Sequence, residues 1–249
     1  MIASGAGRAR SHESMHMPGQ SWPFSVRTGA AALVLSWLLG QLVWAAAVEK
    51  WDFERILSQA EKRYGALGEG RDRLFAWDQL LRSSAALDEL DQLRAVNNFF
   101  NLQLRFSDDR QLWKQADYWA TPVEALRIGG ADCEDYAIAK YISLRHLGVP
   151  SNKLRITYVK AVRLNQAHMV LTYYEKPDAV PLVLDNLIGG ILPASQRSDL
   201  VPVYAFNGEG LWLPGARGDK QVGDSKRLSR WQDLLKKMHT EGFPAESGY

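Results

Sequence analysis

The chain's one cysteine, Cys133, lies in GGADCEDYAIAK, behind two glycines and among Asp132, Glu134 and Asp135. A helix-like apolar pattern follows through Tyr136, Ala137, Ala139, Leu144 and Leu147 to Gly148, with Pro150 just beyond. The cysteine therefore falls at a helix N-terminus. The helix dipole and free N–H groups there favour a thiolate and could hold an oxyanion. The three carboxylates act the other way, since negative charge opposes a thiolate. Acids in a first turn are also ordinary helix caps.

A nucleophilic thiol needs a base, and the base usually needs a group to orient it. Of the three histidines after residue 47, His146 is near the end of the cysteine's own helix, and His239 is in the last helix. His168 begins the β-like run HMVLTYY. A histidine held on a strand facing a helix N-terminus is the papain-type placement of base and nucleophile. Asp185 follows Val183-Leu184 in the next strand and could orient the imidazole through its other nitrogen. Each residue alone has a plainer reading, as a buried thiol, a structural histidine or a turn aspartate. Their order, Cys then His then Asp, on a helix start and two successive strands favours the triad. Trp119 reads as a large core aromatic.

The elements that must position these residues are legible from periodicity. Helices are predicted over 51–65, 71–83 and 89–106, the last carrying Leu90, Leu93, Val96, Phe100 and Leu104 at helical spacing. Asp108-Asp109 breaks that pattern. TPVEAL has a cap, a proline and a glutamate in the order that starts a short helix. Strands are predicted over 154–162, 167–175, 181–187 and 201–207. The stretch 208–225, rich in glycine and charge, reads as loop. A closing helix over 227–239 carries the stripe Leu228, Trp231, Leu234, Leu235 and Met238. Helices first and strands after make an α+β fold with an antiparallel sheet.

At 249 residues the chain suits one domain with appendages. The net charge of +2 resides in residues 1–47, where Arg8, Arg10 and Arg27 face only Glu13, so the remainder is near neutral. There is no basic stripe with interleaved aromatics, which argues against nucleic acid as a partner. Thr28–Ala47 is uncharged and apolar, follows Arg27 and ends in three alanines, the layout of a secretory signal cleaved after Ala47. A retained membrane anchor is the alternative reading of the same run. Translation from Met15 or Met17 would give a more usual signal. The expected organisation is a signal peptide over 1–47 and one exported domain over 48–249. A single cysteine forms no internal disulfide, so an exported thiol is either buried or kept for chemistry.

The stretches GGADCEDYAIAKYISLRHLGVP, AHMVLTYY and VLDNL resemble the bacterial transglutaminase-like cysteine proteinases, and within them the adhesin-releasing LapG type. DYWATPVEAL and LSRWQDLLKKM agree, so the resemblance spans nearly all of residues 48–249. It implies a papain/transglutaminase-like fold with Cys133 as nucleophile, His168 as general base and acid, and Asp185 as the orienting residue. It also implies calcium dependence, with Asp132, Glu134 and Asp135 as ligands. The implied substrate is the N-terminal region of a large surface adhesin, cut within a di-alanine motif, which would control biofilm attachment. The implied partner is an inner-membrane receptor that binds cyclic-di-GMP on its cytoplasmic side and sequesters the protease by a periplasmic domain. No stretch reads as a nucleotide site, so that control would be indirect. The same triad also serves transglutaminases and amidases, and a fold of this kind can persist as an inactive binding module.

Overall fold

The computed structural model describes residues 51–215 and 219–244. The expected signal segment and its cleavage site after Ala47 lie outside the described residues. Among those described, no helix is long and apolar enough to cross a membrane.

Three helices come first. α1 (Phe53–Tyr64) starts where Asp52 accepts the Arg55 N–H at 3.0 Å, and buries Phe53, Ile56, Leu57 and Ala60. α2 (Glu69–Ser84) buries Leu74, Trp77 and Leu81. α3 (Glu89–Gln103) is capped by Asp88 and buries Leu93, Val96, Asn97 and Phe100. The apolar spacing predicts α3 as far as Phe106, but the helix stops at Gln103. Arg105–Phe106 form instead a short strand, β1, paired in parallel with β2 (Gly130–Ala131). The Arg105 N–H donates to the Gly129 carbonyl at 3.1 Å and the Ser107 N–H to the Ala131 carbonyl at 2.9 Å. Tertiary pairing with the GGADC turn thus takes the backbone groups that another helical turn would have used.

After the short α4 (Asp109–Leu112), α5 (Pro122–Ile128) begins with a reciprocal cap between Thr121 and Glu124 and proline in its first turn, as TPVEAL predicts. It ends at Gly129, whose φ of 71° lies in the left-handed region. A Cβ at Gly129 would also come within 2.9 Å of Arg73 Cζ, so glycine alone fits this C-cap. α6 (Cys133–His146) follows two residues after β2 and is buried from Asp135 to Leu144. It is the central helix of the molecule, packed on α3 at one side and on the sheet at the other.

The sheet has seven strands, all antiparallel, in the order β6-β5-β4-β3-β7-β8-β9. Its strands are β3 (Leu154–Ala161), β4 (Gln166–Tyr173), β5 (Leu182–Leu184), β6 (Leu192–Pro193), β7 (Leu200–Phe206), β8 (Leu211–Leu213) and β9 (Lys220–Gly223). The chain runs outward from β3 to β6, then returns so that β7 pairs with the free side of β3. The expected loop over 208–225 instead holds β8 and β9, strands of three and four residues, too short to show a clear period in sequence. Alternation along β4 puts Met169, Leu171 and Tyr173 in the main core with α6, while Val170 joins Val159 and Val183 in a small cluster on the other face. α7 (Ser229–Thr240) closes the fold by burying Trp231, Leu234 and Met238.

Candidate active site

Cys133 is the first residue of α6, with Asp132 as the extended N-cap residue. The turn holding it is fixed from three directions: the left-handed Gly129, the β1–β2 pairing, and the Tyr136 hydroxyl, which donates to the Leu104 carbonyl at 2.7 Å. The thiol is half-buried and donates to Glu134 Oε2 at 3.1 Å. Burial, then the charges of Glu134 and Asp132, push its pKa far above that of a free thiol, while a hydrogen bond from the Met169 N–H opposes the shift. The helix start alone therefore does not yield a thiolate here.

His168 lies on β4, and Cys133 and His168 line one cleft of about 660 Å³. His168 Nε2 lies 2.8 Å from Asp185 Oδ1, both residues being buried. This leaves Nδ1 as the other ring nitrogen: the structure joins His168 to Asp185 and sets Cys133 on the same cleft as His168. Asp185 sits just beyond β5 and is held on every side. Its Oδ1 also accepts the Leu187 N–H at 3.1 Å, its Oδ2 accepts Arg197 Nη2 at 2.6 Å, and its carbonyl accepts Asn101 Nδ2 at 2.8 Å. Burial alone would raise its pKa, but the hydrogen bond and charge of His168, then Arg197, prevail and hold it down at about 2. Arg197 and Asn101 carry no sequence signal for this role, because neither lies in a motif and their contacts join distant segments.

Asp132, Glu134 and Asp135 are joined by two further carboxylates, Asp109 and Asp117. Periodicity marks the first only as part of a helix break and the second not at all. Carboxylate oxygens of Asp109, Asp132 and Asp135 lie within 4.8 Å of one another, as do those of Asp109, Asp117 and Glu134. Asp135 also serves the backbone. Its oxygens accept the Ala120 N–H at 2.7 Å and the Asp132 N–H at 3.4 Å, the capping reading of the motif. Asp109 takes the Tyr118 N–H on one oxygen only. Its Oδ1 and that of Asp132 are buried with no hydrogen-bond partner. Burial with the charges of Glu134 and Asp117 raises Asp109 to about 6, and burial with the charges of Asp135, Glu134 and Asp109 raises Asp132 to about 10. Orphaned carboxylate oxygens crowded this closely fit a hard cation, which needs six to eight oxygen ligands when it is Ca²⁺.

The rest of the cleft is aromatic and acidic. Tyr158 and Tyr204 stack at 5.0 Å, and Arg230 from α7 pairs with Asp117 at 2.9 Å across its mouth. Trp119 lines the cleft but packs as a core aromatic, stacked on Phe206 at 5.5 Å. The other two histidines among the described residues are elsewhere. His146 stacks on Trp51 at 3.9 Å with its pKa lowered to about 4 by burial, and His239 is exposed on α7.

A family model described as bacterial transglutaminase-like cysteine proteinase, BTLCP, matches residues 78–199. Among solved structures, Legionella pneumophila LapG is similar with 47% sequence identity and a TM-score of 0.64, covering 75% of this chain and 97% of that one. Its EGTA-treated form gives 47% and 0.66 over the same shares. Its calcium-bound form gives 45% and 0.63 over 75% of this chain and 98% of that one. No curated protein matches the chain.

Proposed function

The chain belongs to the bacterial transglutaminase-like cysteine proteinases, and on that premise we propose that it is a periplasmic, calcium-dependent endopeptidase that releases a large surface adhesin. The single observation that carries the catalytic part is the buried 2.8 Å contact of His168 with Asp185 beside a cysteine at a helix start. In this reading His168 Nδ1 takes the thiol proton and the sulfur attacks the peptide carbonyl. The oxyanion rests on first-turn amides of α6, which have no partners within the helix. The imidazolium, stabilised by Asp185, gives its proton to the leaving amine. Water, deprotonated by the same ring, then hydrolyses the thioester and regenerates the thiol.

Asp109, Asp117, Asp132 and Glu134, with Asp135 behind them, would hold the cation. When bound, the cation would supply positive charge to offset the field that keeps Cys133 protonated. The orphaned oxygens of Asp109 and Asp132 support this, as do the calcium-bound and EGTA-treated forms of the Legionella relative.

The proposed substrate is the N-terminal region of an adhesin, cut within a di-alanine motif. The proposed partner is an inner-membrane cyclic-di-GMP receptor whose periplasmic domain sequesters the enzyme. Both rest on the family resemblance and on an export signal in residues 28–47. The test incubates residues 48–249 with an adhesin N-terminal fragment, in calcium and in EGTA, with Cys133→Ala as control. New peptide termini that require both the thiol and calcium are expected. Ammonia loss with crosslinked products would instead mark a transglutaminase. Cleavage that persists in EGTA would return the acids to helix capping.

A further inference from the structure

We propose that Arg197 is a positioning residue for this reaction: by holding the second oxygen of Asp185 it fixes the carboxylate on His168. The inference rests on the Cys–His–Asp chemistry proposed above, but not on the adhesin as substrate.

A carboxylate rotates readily about its last torsion, because the two-fold energy profile there is broad. Pinning one oxygen leaves that motion partly open, whereas pinning both removes it. Asp185 Oδ1 is shared by His168 Nε2 at 2.8 Å and the Leu187 N–H at 3.1 Å. Oδ2 has one side-chain partner, Arg197 Nη2 at 2.6 Å. Arg197 is itself immobilised. It is 2% exposed, and its Nε and Nη2 reach the two oxygens of Asp199, each at 3.0 Å. The planar guanidinium thus joins two carboxylates at fixed angles, a geometry that an ammonium cannot reproduce.

Charge balance agrees with this assignment. A buried cation is costly unless paired, and here it has two anionic partners. Lys140, buried on α6, also feels the charge of Asp185, yet its Nζ makes no hydrogen bond. It can supply field but cannot set the orientation of the carboxylate. Arg197 can do both.

The readout is the rate at which iodoacetamide alkylates Cys133 in the folded protein with calcium, which needs no peptide substrate. Arg197→Met is expected to slow alkylation ~10-fold or more, with Arg197→Lys recovering only part of the rate. The deciding measurement is a double-mutant cycle with Asp185→Asn. A residue that acts through Asp185 should cost less than about 3-fold once Asp185 is already changed. A full additional loss in the double variant would make Arg197 merely structural and overturn the proposal. So would wild-type alkylation by a folded Arg197→Met. If Arg197→Met does not fold, Arg197→Lys enters the same cycle, and additivity there has the same meaning. Wild-type alkylation by Asp185→Asn would remove the triad reading itself, whereas a slow Asp185→Asn beside a normal Arg197→Met removes only the assignment of Arg197.

Discussion

At the scale of single residues, the notable feature is a nucleophile held in its unreactive form. A helix N-terminus lowers a thiol pKa, but Cys133 is half-buried and its thiol donates to Glu134 at 3.1 Å. The local charges outweigh the dipole, which acts weakly and only within the first turn. Replacing Glu134 by Gln removes a negative neighbour and keeps the shape. In EGTA, the midpoint of the pH profile for iodoacetamide alkylation is therefore expected to move to lower pH in Glu134→Gln. An unchanged midpoint would mean that burial alone sets the thiol. Asp185 shows the opposite balance, since its hydrogen bonds and the charges of His168 and Arg197 overcome burial.

At the scale of elements, the site depends on short pieces that end where they do for tertiary reasons. The turn from α5 to α6 carries the cysteine, and α5 is anchored by one buried hydroxyl. Thr121 Oγ1 accepts the Glu124 N–H at 3.1 Å and donates to Glu241 Oε1 at 2.9 Å. Thr121→Ala is expected to lower stability by about 1–2 kcal/mol in urea unfolding, because it removes a cap and a buried hydrogen bond together. Thr121→Ser should keep most of that stability, and equal losses in both would mean that the methyl group matters more than the hydroxyl. On the other side of α6, Asn97 and Asn101 of α3 hold the loop after β5, through Gly189 O at 2.9 Å and Asp185 O at 2.8 Å. The third helix thereby places the third member of the proposed triad, although the two lie far apart in sequence.

At the scale of the whole molecule, the acidic cluster makes stability depend on pH and, if it holds the proposed cation, on calcium. Asp132 and Asp109 have folded-state pKa values raised to about 10 and about 6. For an acid raised in this way, stability is fully present below the unfolded pKa of about 4 and is lost as pH rises through the folded value. In EGTA the melting temperature is therefore expected to fall between about pH 5 and pH 8. A ligand that binds only the native state stabilises it, and ionised carboxylates bind calcium better than protonated ones. The gain in melting temperature on adding calcium should thus be larger at about pH 8 than at about pH 5. An equal gain at both would place calcium away from Asp109 and Asp132.

Local pattern accounts for the order of the long helices and central strands, the helix start at Cys133, the cap at Thr121 and the candidates His168 and Asp185. These depend on local periodicity, on capping chemistry and on there being one cysteine and few histidines, all of which are properties of neighbouring residues. It also located three acids of the cluster, Asp132, Glu134 and Asp135. That α3 stops at Gln103, that 208–225 contains two strands, and that Asp109 and Asp117 join those acids follows from long-range contacts alone. The same is true of Arg197 and Asn101 around Asp185. Edge pairing, carboxylate clustering and buried ion pairs join segments distant in the chain. Their free energy comes from desolvation and from partners that exist only once the chain has folded, so no local pattern marks them.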